Sequence, residues 1–149
     1  MKNLFSIADV QEVMERIDKL TPATPAQWGK MNVAQMLAHC HLGIESALGR
    51  HNIPRLFIGR IIAPFIRASV LGEKPFQKNS PTDKSYKFPA DVDFAAQKAK
   101  LKTSLQEFLE GGEAKCTRYP HPFFGRFSPA EWAVFQWKHI DHHLRQFGV

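Results

Sequence analysis

Cysteine is scarce in this chain. Cys40 and Cys116 are the only two, and they form neither a CxxC pair nor a spaced framework. That excludes a disulfide-stapled secreted scaffold and fits a reducing compartment, so the expected location is cytoplasmic. Strict alternation of apolar and polar residues is also scarce, which argues against a sheet protein. The opening MKNLFSIADV lacks an apolar core of signal-peptide length, and secretion is not expected. Several chemistries go with their missing motifs. There is no HExxH, no Glu-x-x-His of the di-iron bundles, no GxSxG, no GxxxxGK[ST] and no GxGxxG. Zincin, di-iron, hydrolase-elbow, P-loop and Rossmann readings fall with them.

What is present describes one ordinary domain. The chain has 149 residues and 17.0 kDa, with 44% hydrophobic and 23% charged residues. That balance excludes disorder and makes a single domain over residues 1–149 the expectation. Twenty Lys and Arg against 14 Asp and Glu give a net charge of +6. The basic residues from Arg50 to Lys87 are scattered, without interleaved aromatics on a regular element. They read as solvated surface, and no nucleic-acid partner is expected.

Apolar residues recur with a helical period. A first helix is expected over Ile7–Leu20, started by Ser6 with Asp9 three residues on. TPATPAQWGK interrupts the pattern, because two prolines and a glycine cannot continue a helix. A second helix is expected over Asn32–Leu48, with Asn32 and Gln35 as a capping box and Gly49 as the stop. Its stripe of Met36, His39, Gly43 and Ser46 is part polar, unlike simple core packing.

The apolar stretch PRLFIGRIIAPFIRASVLG is interrupted by Arg60, Pro64 and Arg67, which are costly in a bilayer. It reads as a pair of short helices broken near Pro64 and covered by the bundle or by a second copy. A membrane-surface helix is the alternative, and no membrane partner is expected. PFQKNSPTDKSYKFP reads as a loop. A third long helix is expected from a cap at Asp91 or Asp93 to Glu110, ended by Gly111 and Gly112. The last starts at Ser128, Pro129 and Glu131 and runs to about Phe147. The fold class is therefore all-α: a four-helix bundle with a long crossover containing extra short helices.

Chemistry concentrates in KHIDHHLRQF. His139 and His143 are four apart, so on a helix they lie one above the other and can converge on one cation. Trp132, Phe135 and Gln146 share that stripe and mark it as inward. His142 points about a quarter turn away and Asp141 further still. An HxxxH pair alone is more often a pair of hydrogen-bonded core histidines than a metal site. His39, on an inward stripe of the second helix, supplies a third imidazole. Three such ligands leave a fourth position open, the arrangement of reactive sites. His41 diverges from His39, and Cys40 reads as a small core residue. No general base can be assigned, although the loop residue His121 can approach the open position. Trp28, Phe124 and Trp132 are candidate pocket walls or core aromatics.

WGKMNVAQMLAHC together with HIDHHLRQ resembles the DinB-like superfamily of metal-binding four-helix bundles, which includes YfiT-like proteins and thiol-dependent transferases. His39 matches the family's first histidine, His139 and His143 match its closing pair, and Gln146 takes the place of the terminal glutamine. Leu144-Arg145 stands where the family often has Arg-Gly, which leaves the ligand spacing intact. HPFFGRFSPAEW and KNSPT resemble a branch described only as a domain of unknown function. The resemblance implies a divalent metal ion (zinc, nickel or iron), a homodimer, and a small-molecule substrate such as a low-molecular-weight thiol. It does not imply DNA polymerase activity. The expected function is a metal-dependent thiol transferase or hydrolase. The alternative is a non-catalytic metal- or small-ligand-binding bundle.

Overall fold

A computed structural model describes residues 1–80 and 83–149. Pro81 and Thr82, within the KNSPT motif and the expected loop, lie outside the described residues. The described chain is all-helical, with α1 Ile7–Asp18, α2 Val33–Ala47, α3 Phe57–Leu71, α4 Phe94–Lys115 and α5 Pro129–Gln146. A 3-10 turn at Lys84–Tyr86 lies between α3 and α4.

The starts follow the expected capping chemistry. Ser6 accepts from the Asp9 N–H, and both Asn32/Gln35 and Ser128/Glu131 form complete capping boxes. Asp93, not Asp91, caps α4. That helix passes Gly111 and turns non-helical only at Gly112, where φ is 54°. A positive φ there suits a residue without Cβ.

Helix α2 packs on α4 and α5, and α1 packs on the same two, so the four helices close a ring. Its centre is filled by Val13 and Ile17 of α1, Leu37 and Ile44 of α2, Leu105 and Phe108 of α4, and Trp132, Ile140 and Leu144 of α5. Burying each such side chain contributes roughly 1.5–3 kcal/mol.

The crossover differs from expectation. Residues 57–71 are one helix running through Pro64, not two short ones. Arg60 and Pro64 are both exposed, so a carbonyl that loses its donor to the proline is on the water side of the helix. The bundle covers only a narrow side of α3, at Gly59 and Ala63, while Phe57 is 76% and Phe65 84% exposed. Three contacts hold that side. A methyl on Gly59 would stand 2.4 Å from the Phe123 carbonyl oxygen, so only glycine allows this approach. Arg67 pairs with Glu131 at 2.7 Å. The buried Lys138 of α5 donates its Nζ to the carbonyls of Ser69, Val70 and Gly72, satisfying the C-terminal end of α3.

Candidate metal centre

Helix α2 presents His39 and α5 presents His139 and His143, and the ligand atoms of the three lie within 4.8 Å of one another. Ring centroids are 4.7–4.8 Å apart in each pair. His39 and His143 are 6% and 8% exposed. The α2–α5 approach that closes this gap depends on Gly43. A methyl there would stand 3.2 Å from the Nδ1 of His139. The part-polar stripe of α2 is thus the wall of the histidine cluster.

Partners assign the tautomers. The Tyr86 backbone carbonyl can only accept, so His39 donates its Nδ1–H to it at 3.2 Å and keeps a bare Nε2. Gln146 donates its Nε2 to the Trp28 carbonyl at 2.7 Å, which turns its Oε1 toward His143. His143 therefore donates its Nδ1–H to that oxygen at 2.8 Å and also keeps a bare Nε2. The Nε2 atoms of His39 and His139 are 2.8 Å apart, so His139 donates the proton they share.

Burial pushes all three imidazoles toward neutrality. His39 is lowered by desolvation, His139 well below the ordinary value by desolvation and its histidine neighbours, and His143 to about 3. Neutral imidazole is the ligating form, and two Nε2 lone pairs already converge with their Nδ1–H groups held by carbonyls. The donor set fits a divalent ion of the zinc, nickel or iron type. Among the described residues no carboxylate or thiol joins the group.

Cys40 is fully buried with its thiol pushed up by desolvation, a core residue. His41 faces α4 and bonds the Ser104 hydroxyl at 3.0 Å, away from the cluster. His142 is half-buried against Trp28 and Phe76, its ring 5.1 Å from that of His143 but its nitrogens outside the cluster, and it lines a cleft of about 630 Å³. Asp141 pairs with Arg16 at 2.8 Å and Arg145 at 2.9 Å. His121 sits among Phe124, Phe127, Trp132 and Phe135, and its Nδ1 accepts from the Phe123 and Phe124 N–H groups. Its proton is then on Nε2 and the ring is neutral. Trp132 and Phe124 are members of that aromatic cluster, while Trp28 lines the cleft. Sequence reasoning missed Tyr86, which acts through its backbone carbonyl and leaves no side-chain signal, and Gln136, taken up below.

An all-helical bundle whose core brings three neutral histidines together defines the class: a helical protein equipped to hold a metal ion. Within that class the chain belongs to the family described as protein of unknown function (DUF1569), whose family model matches residues 1–148. Comparison with curated proteins and with solved structures finds no match. Among the described residues no helix is long and apolar enough to cross a membrane.

Proposed function

We propose that this protein is a cytoplasmic metal-dependent enzyme of the thiol transferase or hydrolase type, with His39, His139 and His143 as the ligands of one divalent ion. The observation that carries the reading is the convergence of the three imidazoles, with His39 and His143 each oriented by a carbonyl on the far side of its ring. The resemblance to DinB-like bundles supports the same three residues. An ion held there supplies Lewis acidity, which makes a thiol or a water nucleophilic near neutral pH. The chain's own part is to keep the imidazoles neutral and to aim them, through Tyr86, Gln146 and the Trp28 carbonyl that anchors Gln146. The substrate class is a small molecule such as a low-molecular-weight thiol. A non-catalytic bundle binding a metal or a small ligand is the competing reading.

Metal content after native purification tests the site. One ion per chain is expected, lost in His39→Ala, His139→Ala and His143→Ala and kept in His142→Ala. Full retention in all four variants refutes the site. A screen of thiols against electrophilic substrates then separates enzyme from binding module.

A homodimer completes the reading, supported by the uncovered face of α3. Phe57, Ile58, Ile61, Ile62 and Phe65 stand 37–84% exposed. Together they offer on the order of 600 Å² of apolar surface, the upper end of what single chains leave open. Phe57 and Phe65 lie symmetrically about Ile61, so an antiparallel two-fold contact sets each Phe57 against a Phe65.

A further inference from the structure

Two of the three imidazoles have their Nδ1–H held by a carbonyl, and the third does not. The Nδ1 of His139 is buried without any partner. So is the Oε1 of Gln136, a residue 2% exposed and three positions earlier on α5. Residues at that spacing are neighbours on a helix face. The Gln136 amide is oriented beyond ambiguity, because its Nε2 donates to the Gly43 carbonyl at 2.8 Å. Both orphaned atoms also face one notch. A methyl built on Gly43 would lie 3.0 Å from Gln136 Oε1 and 3.2 Å from His139 Nδ1.

No hydrogen bond joins the two atoms as they stand. His139 gives its Nε2 proton to His39, which leaves a lone pair at Nδ1. A lone pair and a carbonyl oxygen are two acceptors, and acceptors do not pair. Ligation of a cation at Nε2 displaces that proton, and a neutral imidazole then carries its hydrogen on Nδ1. The same two atoms become a donor and an acceptor.

We propose that Gln136 is the positioning residue of His139, its Oε1 accepting the Nδ1–H of the imidazole once Nε2 holds the metal ion. Each ligand then rests on one carbonyl oxygen: Tyr86 for His39, Gln136 for His139 and Gln146 for His143. Such supports orient the ring and raise its basicity. All three are uncharged, and a cation in this set keeps its positive charge uncompensated by protein. The site is thereby suited to an anionic oxygen or sulfur donor as its remaining ligand, which narrows the substrate class proposed above.

The inference rests on the three-histidine reading, and zinc binding by chelator competition separates the two. Gln136→Met removes the acceptor, together with the Nε2 donor to the Gly43 carbonyl, at nearly constant shape and is expected to weaken zinc binding about 10–100-fold. Gly43→Ala, which wedges a methyl between the two orphans, is expected to weaken it in the same direction. Melting of the metal-free proteins verifies that both variants fold. In zinc-loaded wild type, nitrogen-15 NMR should show a slowly exchanging Nδ1–H on His139 that is absent from the metal-free protein. Undiminished zinc affinity in folded Gln136→Met, or zinc-loaded wild type without that protected proton, overturns the role of Gln136. Undiminished affinity in His139→Ala overturns the metal centre itself.

Discussion

Lowering the pH should unfold this bundle through His121 more than through any surface charge. The ring is enclosed by four aromatic side chains, and desolvation pulls its pKa from the ordinary 6.5 to about 3. Its Nδ1 is already occupied by the N–H groups of Phe123 and Phe124, so protonation at that atom breaks both bonds. The folded state therefore binds fewer protons than the unfolded state over this range. The stabilisation is fully present above pH 6.5 and is lost as the pH falls toward 3. Between pH 7 and pH 4 the two pKa values correspond to a loss of about 3 kcal/mol from this one residue. His121→Asn isolates the effect, since its side-chain oxygen takes the place of Nδ1 as acceptor and does not titrate in this range. Urea unfolding at pH 7 and pH 4 of both proteins, freed of metal, is the measurement. Wild type should lose about 3 kcal/mol more than the variant across that interval, because contributions from the other histidines are common to both. Equal losses would refute the assignment of His121 as a buried neutral donor.

Two further outcomes follow from the crossover. Lys138→Met should remove the cation that satisfies the last carbonyls of α3, costing roughly 1.5–3 kcal/mol and speeding proteolytic cleavage near residues 69–74. Unchanged cleavage would mean that Arg67 and Gly59 suffice to dock the helix. Phe65→Glu should convert the proposed homodimer to a monomer by light scattering while leaving zinc content intact. A wild-type monomer at tens of micromolar would remove the dimer outright.

The helix starts were legible because capping is local. Asn32 with Gln35, and Ser128 with Glu131, close their boxes within four residues, and nothing distant competes with them. The spacing of His139 and His143 was legible for the same reason, since four residues on a helix is a fixed geometry. Helix ends were read less well. Gly112 stops regular helix in α4, yet the chain recovers a turn to Lys115. At Pro64 the local rule pointed to a break, and the helix continues through it on its exposed side.

Residue types and local spacing thus determined that this chain is helical, where four of its helices begin, and which face of α5 carries paired imidazoles. The meeting of His39 with that pair, 100 residues away, was decided by the ring closure of α2 on α5. So were the supports behind these histidines. Tyr86 contributes a backbone carbonyl that any residue type would offer, and Gln136 matters only because Gly43 lets two helices approach. Capping and periodicity are interactions between near neighbours and are written in order along the chain. A site assembled by packing depends on distances between helices, and those exist only once the core has closed.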